Sequence, residues 1–277
     1  MRKSLCLGFF ILLAGCTAVI DEGTFFPIAE REPAGAALHV PTGYTVEHAL
    51  LDLPGLGKVH AARLDRPGNT STIIYSTGNA GFVSTSGLHA GALAHATGAD
   101  ILLYDYPRRG GTTVPPTVDA AIATGPALVA ALRAKGWIGA EPLFAYGLSF
   151  GGSQAAAMAR EGGFAGLMIE GSAADLATVG RNFIPGVARP FVRLRVDPEL
   201  GRFDYLGYAV AATAPILLIS SASDRVVRPR NMADFMRQLR AAGRDVTWVS
   251  APGEHGTALA DPRTREAVTG FVRRHGG

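Results

Sequence analysis

The chain has 277 residues, of which 48% are hydrophobic and 18% charged, and its formal charge is +3. This composition excludes a disordered chain and allows one large globular domain with a substantial core. The sequence has no basic helix and no basic patch interleaved with aromatic residues, so nucleic acid is not an expected partner.

The first fifteen residues have the pattern of an export signal. Two basic residues precede an apolar run that reaches Leu13-Ala14-Gly15, and Cys16 follows directly. The run is shorter than the roughly 20 residues that cross a bilayer, which favours a cleaved signal. The sequence Leu-Ala-Gly-Cys resembles the lipobox of bacterial lipoproteins, which implies cleavage before Cys16 and lipid on its thiol. Cleavage would also remove Cys6, so we expect no disulfide within the chain.

On this interpretation residues 1–15 are a lipoprotein signal peptide, residues 16–37 a tether and residues 38–277 the folded domain. An ordinary secretion signal or a short membrane anchor is the alternative. We expect an exported protein that its lipid holds to a membrane on the periplasmic side. Thr17 stands where an aspartate would retain some lipoproteins at the inner membrane, and it favours the outer membrane.

The folded domain begins with a predicted β-hairpin, in which Thr45–Leu51 and Lys58–Leu64 flank Pro54-Gly55-Leu56-Gly57. Apolar runs of strand length then alternate with helical patterns, which is typical of a mostly parallel sheet covered by helices on both faces. The predicted strands are Thr72–Ser76, Asp100–Tyr104, Leu143–Tyr146, Leu167–Ile169, Ile216–Ser220 and Val246–Val249. The predicted helices include Val118–Lys135, Ser153–Arg160, Arg230–Ala242 and Pro262–Arg274.

The segment Gly147-Leu148-Ser149-Phe150-Gly151 lies between a predicted strand and a predicted helix. A serine at such a turn can hold its hydroxyl exposed in strained backbone geometry, because small residues two before and two after it let strand and helix approach. Ser149 is therefore a candidate nucleophile. Since glycine is frequent in this chain, an ordinary glycine-rich connection is the alternative.

A serine nucleophile needs a histidine to accept its proton and a carboxylate to orient that histidine. Of the seven histidines, His255 is the one that lies in the loop after a predicted strand, and Asp224 follows the preceding predicted strand in the same way. Sites of open α/β sheets form in loops at the carboxyl ends of strands. Asp224 and His255 are therefore the candidate acid and base.

Each assignment has an alternative. Glu254 is a second carboxylate next to His255. Asp224 could instead cap the helix that follows Pro229 or pair with Arg225, and His255 could be a loop histidine whose hydrogen bonds go to the backbone.

The longest connection between predicted strands spans about residues 173–213 and is rich in proline, arginine and aromatic residues. A connection of this length is usually a lid over a site, or it is disordered. We expect a lid insertion whose arginines are mostly solvated surface, with an anion-binding lid as the alternative. Its arginines are Arg181, Arg189, Arg193, Arg195 and Arg202.

Taken together, these residues resemble the α/β-hydrolase superfamily, in which nucleophile, acid and histidine follow in this chain order. The resemblance covers the chain from about Thr45 to its end and implies an α/β-hydrolase fold. It also implies that Ser76–Gly81 is the oxyanion loop, in which the main-chain N–H groups of Asn79 and Phe150 bind the oxyanion. Thr77 stands where many of these hydrolases have histidine.

The segment Tyr104–Gly111 resembles the Asp-Tyr-Arg-Gly-Tyr-Gly segment of serine-aminopeptidase-like and monoglyceride-lipase-like hydrolases, enlarged here by Pro107-Arg108-Arg109. The resemblance implies a serine hydrolase that cleaves a small-molecule carboxylic ester. Peptide or thioester cleavage by the same triad, and a lipid-anchored binding protein without turnover, are the alternatives. The histidine spacing matches no metal motif and the chain has no phosphate-binding Gly-Lys-Ser/Thr loop, so no cofactor or metal is expected.

Overall fold

The structure of the protein is a computed structural model that describes residues 16–26 and 32–277, so the expected signal peptide lies outside the described residues. Within these ranges the chain forms ten strands and eight α-helices. The strands are β1 Cys16–Ile20, β2 Thr45–Leu53, β3 Gly57–Asp65, β4 Thr72–Ser76, β5 Asp100–Tyr104, β6 Leu143–Leu148, β7 Gly166–Glu170, β8 Val192–Val196, β9 Ile216–Ser221 and β10 Val246–Ala251. The helices are α1 Glu22–Phe25, α2 Gly87–Thr97, α3 Val118–Ala134, α4 Phe150–Ala159, α5 Leu176–Phe183, α6 Tyr205–Ala211, α7 Pro229–Ala241 and α8 Pro262–His275.

Eight of the strands form one sheet in the order β10-β9-β7-β6-β4-β5-β3-β2. From β4 to β10 all neighbouring strands of this sheet are parallel, and the hairpin β2–β3 is added to β5 by antiparallel pairing. Every residue of β4, β5, β7 and β9 is buried, which is why these segments are almost continuously apolar. The predicted hairpin and the predicted parallel strands are confirmed.

Helices cover both faces of the sheet. The core on one face includes residues of α2 and α8, and the core on the other includes residues of α3, α4, α6 and α7. In the described part of the chain, none of these helices is long and apolar enough to cross a bilayer. Because the strands from β4 to β10 run parallel, the loops after β4, β6, β7, β9 and β10 all open at one edge of the sheet.

The connection between β7 and β9 is structured. It contains α5, β8 and α6, with short 3-10 helices at Gly186–Ala188 and Pro198–Arg202. Its strand β8 pairs in parallel with β1, so that Cys16 lies beside Val192 and Ile20 beside Val196. The stretch expected to be a tether therefore contains a strand that the sequence analysis did not anticipate. Its branched residues favour extended backbone, and Ile20 is buried in the core.

Candidate active site

Ser149 occupies the turn between β6 and α4. Its backbone has φ 56° and ψ −121°, a conformation that glycine tolerates and serine rarely adopts. A Cβ atom on Gly147 would overlap the carbonyl group of Gly151, and one on Gly151 would overlap the carbonyl oxygen of Ser76. Both positions therefore require glycine, because a side chain would overlap backbone atoms. The predicted sharp turn is confirmed.

Asp224 and His255 are in direct contact. Oδ2 of Asp224 lies 2.7 Å from Nδ1 of His255. The other carboxylate oxygen accepts the N–H groups of Val226 and Val227, both at 2.8 Å. The carboxylate is 1% exposed and the imidazole 23%. Because a carboxylate only accepts hydrogen bonds, this contact assigns the proton of a neutral His255 to Nδ1 and leaves Nε2 as an acceptor.

The structure distinguishes between the two candidate carboxylates, Asp224 and Glu254. Glu254 is exposed, and its main-chain N–H and carbonyl groups both bond the hydroxyl of Thr257 at 2.9 Å. Asp224 closes a tight turn with its own loop, whereas α7 begins after Arg228. The carboxylate that contacts His255 is thus the one that sequence analysis proposed.

Ser149 and His255 lie against the same strand end. The N–H of Ser149 donates to the carbonyl oxygen of Glu170 at 2.8 Å. A Cβ atom on the next residue, Gly171, would lie 3.2 Å from two ring atoms of His255 and 3.4 Å from Oδ2 of Asp224. The end of β7 therefore brings all three predicted residues into one neighbourhood, and Gly171 leaves room for the imidazole.

The loop after β4 approaches the serine from the other side. A Cβ atom on Gly78, the residue before Asn79, would lie 3.8 Å from Cβ of Ser149. Phe150 is the first residue of α4, and the N-terminus of a helix favours negative charge. The predicted oxyanion loop and the first residue of α4 thus both adjoin Ser149.

Two side chains that the sequence analysis did not assign hold this loop. The hydroxyl of Tyr106 donates to the carbonyl of Thr77 at 2.6 Å, and the guanidinium of Arg109 donates to the carbonyl of Asn79. These bonds flank the peptide group that carries the N–H of Asn79, and they fix its orientation. Arg109 is 4% exposed and lies over the rings of Phe82 and Tyr106. The enlarged segment after β5 therefore braces the loop in which Thr77 replaces histidine.

Glu170 connects three parts of the site. Its carbonyl oxygen accepts the N–H of Ser149, and its Oε1 accepts the N–H of Ala258 in the loop after His255 at 3.1 Å. Its Oε2 lies 2.5 Å from the hydroxyl of Tyr146 and 3.0 Å from Nε2 of His89. Burial raises the pKa of Glu170, but these partners outweigh burial and the pKa is lowered. A glutamate directly after an apolar strand was the available sequence signal.

A second aspartate–histidine pair lies near the hairpin. Oδ2 of Asp105 is 2.6 Å from Nδ1 of His60, whose Nε2 is 3.1 Å from Nδ1 of His48. Oδ1 of Asp105 accepts the N–H of Val83 at 2.9 Å, just beyond the predicted oxyanion loop. Because the outer nitrogen of His60 already bonds His48, this pair is not arranged to accept a proton from a serine.

The remaining predicted site residue is Cys16, which is exposed and is the first residue of β1. Across residues 16–26 and 32–277, no cluster of three histidine, cysteine, aspartate or glutamate side chains is placed to hold a metal ion.

Solved hydrolases share this fold. An esterase from Pyrococcus furiosus superposes with a TM-score of 0.66 over 88% of this chain and 100% of its own, at 16% identity. Carboxyl esterase 2 from the fungus Tuber melanosporum gives 0.65 over 90% of this chain and 93% of its own, at 18% identity. A puromycin-hydrolyzing peptidase from Mycobacterium tuberculosis gives 0.64 over 84% of this chain but 40% of its own, at 17% identity.

No curated protein matches the sequence. The model of the prolyl oligopeptidase family matches residues 126–275, which is more than half of the chain and includes Ser149, Asp224 and His255. The protein is therefore a serine hydrolase of the α/β-hydrolase superfamily, and it belongs to the prolyl oligopeptidase family.

Proposed function

We propose that this serine hydrolase cleaves carboxylic esters through an acyl-enzyme formed on Ser149, with His255 as general base and Asp224 as the carboxylate that orients it. The observation that carries the proposal is the buried Asp224–His255 contact at 2.7 Å beside the strained turn of Ser149. Strain of this kind is retained where the surrounding structure holds it for function.

In the proposed first step, Oγ of Ser149 attacks the acyl carbonyl carbon while Nε2 of His255 accepts the hydroxyl proton. The N–H groups of Asn79 and Phe150 stabilise the oxyanion, and each such donor contributes on the order of 3 kcal/mol. His255 then gives its proton to the leaving alkoxide, and the alcohol departs. Water attacks the acyl-enzyme with the same histidine as base, which releases the acid and restores Ser149.

Relatives with this fold include both esterases and peptidases, so peptide cleavage is the second candidate. The extent of the match favours an ester, because the chain covers the whole of the P. furiosus esterase but only 40% of the M. tuberculosis peptidase. A matched pair of substrates, a p-nitrophenyl ester and a p-nitroanilide with one acyl group, separates the two. A higher kcat/KM on the anilide would overturn the ester proposal and leave the triad standing.

The triad is tested by Ser149→Ala. We expect kcat/KM on a short p-nitrophenyl ester to fall by about 10⁴-fold or more, because the acyl-enzyme cannot form. Ser250→Ala, at an exposed position of β10, is the matched control and should keep the wild-type rate. A fluorophosphonate probe should label the wild type and Ser250→Ala but not Ser149→Ala. An unlabelled wild type would favour a binding protein without turnover.

We also propose that residues 173–213 form the lid over this site. The segment begins just after Gly171, the residue whose neighbour is His255, and its helix α6 packs on α4 behind the serine. A lid so placed would select the acyl or alcohol group of a small-molecule substrate.

We further propose that Cys16 carries the lipid of an exported lipoprotein on the periplasmic side of the outer membrane. The support is the lipobox-like sequence before it and the exposure of Cys16. Mass spectrometry of the N-terminal peptide tests the modification. Replacement of Cys16 by serine should release the protein from the membrane fraction.

A further inference from the structure

The small sheet formed by β1 and β8 has two unlike faces. One face packs under α5, where a Cβ atom on Gly180 would lie 2.6 Å from Ile20 and 3.0 Å from Leu194. The alternate residues of β8, Arg193 and Arg195, are exposed. Because successive side chains of a strand point to opposite faces, Arg193 and Arg195 do not pack under α5 with Leu194.

The arginines of this region carry positive charge that the described part of the chain does not neutralise. Arg202 forms ion pairs with Glu199 and Asp119. By contrast, in residues 16–26 and 32–277 no ion pair involves Arg181, Arg189, Arg193 or Arg195. These four arginines line one open groove of about 560 Å³, together with Thr17 and the apolar residues Ile184, Val192 and Leu194. A groove lined by four guanidinium groups without a carboxylate partner favours an anionic occupant.

Exposed apolar side chains lie between the groove residues in the sequence. Phe183 is 67% exposed, Val187 86% and Phe191 48%. All three lie in the segment that precedes β8. The first residue of β8, Val192, pairs with Cys16. Large apolar groups next to arginines are the combination that binds the interface of an anionic bilayer.

We propose that this docking face, formed by Arg181, Arg189, Arg193, Arg195, Phe183, Val187 and Phe191, rests on an anionic phospholipid bilayer. The arginines bind lipid phosphates, and the apolar side chains enter the interface. The proposal deepens the proposed lipid anchor, because lipid on Cys16 would emerge beside Phe191. Docking would also hold the proposed lid at the bilayer, next to the site from which acyl substrates would be taken.

The experiment uses the purified full-length gene product, processed by the cell and mixed with vesicles whose phosphatidylcholine has brominated chains. Val187→Trp places a fluorophore on the docking face. Leu50→Trp is the control, because Leu50 is 52% exposed on the edge strand β2. Five strand spacings of about 4.8 Å separate β2 from β7, the strand that leads into the segment of the docking face. Wild-type protein supplies the background of Trp137 and Trp248.

We expect bromine to quench the added tryptophan of Val187→Trp, but not that of Leu50→Trp, when the vesicles also contain phosphatidylglycerol. Most of the quenching should be lost without phosphatidylglycerol, or when Arg193→Gln and Arg195→Gln are added. Circular dichroism spectra and urea unfolding midpoints that match those of the wild type show that these variants are folded.

The outcomes separate the docking face from the anchor. Equal quenching in both variants, or none in Val187→Trp, overturns the docking face. If the quenching of Val187→Trp is the same without phosphatidylglycerol and after Arg193→Gln and Arg195→Gln are added, the proposed binding of anionic headgroups is wrong. A peptide of unmodified Cys16 in mass spectrometry overturns the anchor alone, because quenching is measured on whichever form the cell produces.

Discussion

Two histidines of this protein contact buried aspartates in nearly the same way. His60 lies 2.6 Å from Asp105 and His255 lies 2.7 Å from Asp224, and each imidazole is 23% exposed. The difference is the outer ring nitrogen, which bonds His48 in the first pair. Local geometry of the pair is thus insufficient to identify a base, and the neighbourhood of Ser149 is needed.

This comparison supplies a matched pair of variants. His255→Gln should lower kcat by about 10³-fold or more, because no group then accepts the serine proton. His60→Gln should leave kcat within about threefold, since that histidine has a structural role. Steady-state kinetics on one ester measures both. A loss at His60 as large as at His255 would contradict the assignment of the base.

Glu170→Gln is a prediction about pH and stability. The pKa of Glu170 is lowered from its ordinary 4.5, so the carboxylate stabilises the fold above that pH and loses this contribution as pH falls through the folded pKa. At neutral pH we expect Glu170→Gln to lower the free energy of unfolding by about 2 kcal/mol, because buried partners lose their acceptor.

Urea unfolding of both proteins between neutral and acid pH measures this effect. The difference between wild type and Glu170→Gln should begin to shrink below about pH 4.5, where the carboxyl of the unfolded chain is protonated, and it should be lost once the pH has fallen through the lower pKa of the folded state. The control is Glu161→Gln, since Glu161 is 54% exposed and forms an ion pair with its neighbour Arg160. A difference that is constant with pH would contradict the ionised state of Glu170.

At the residue scale, sequence reasoning found the groups that have a local signal. Ser149 has glycines around it, and Asp224 and His255 each follow an apolar strand. It did not find Arg109 or Glu170 as parts of the site. No local sequence pattern predicts the direction of a long side chain. The hydrogen-bond partners of Arg109 and Glu170 are also distant in the sequence.

At the scale of elements, the strand–turn–helix around Ser149 depends on close approach of backbone. We expect Gly151→Ala to destabilise the protein by about 2 kcal/mol or more, because its Cβ would overlap main-chain oxygens at the end of β4. Gly270 in α8 has open space around the equivalent position. Gly270→Ala should therefore stabilise the protein by about 0.5–1 kcal/mol.

Thermal and urea unfolding of both variants measure these changes. If Gly151→Ala leaves the free energy of unfolding unchanged, the steric account of the turn is wrong. If Gly270→Ala lowers it, the added methyl group clashes with a neighbouring residue.

The elements themselves were mostly predictable. The strands from β4 to β10 of the large sheet lie within two residues of their predicted ends, because buried parallel strands are short apolar runs between turns. The strand β1 was not predicted. Nor was β8, although Val192–Val196 alternates apolar and charged residues. The pairing of β1 with β8 joins segments that are far apart in the chain, and no local pattern indicates that partner.

At the scale of the whole molecule, stability is expected to be uneven. The strand β6 lies between β4 and β7 in the eight-stranded sheet, whereas β8 has β1 as its one partner strand among the described residues. Two-stranded sheets are marginally stable by themselves. The β1–β8 sheet should therefore open more readily than the centre of the fold.

Hydrogen exchange followed by mass spectrometry tests this expectation. We expect amides of Val192–Val196 to exchange about 100-fold faster than those of Leu143–Leu148, by openings that leave the large sheet intact. The edge strand β10 serves as a control, because it also has one partner strand but belongs to the large sheet. Equal protection of β8 and β6 would contradict a separable insertion.

The sequence by itself determined the alternation of strands and helices, the turn of Ser149 and the order of serine, aspartate and histidine. Those features follow from apolar periodicity and from small residues, which act within a few positions of the chain. Only the tertiary structure decided which carboxylate contacts His255, what braces the loop of Asn79, and which arginines line one groove with Thr17. These depend on side-chain directions and on pairings between distant segments, which exist only after the sheet has assembled.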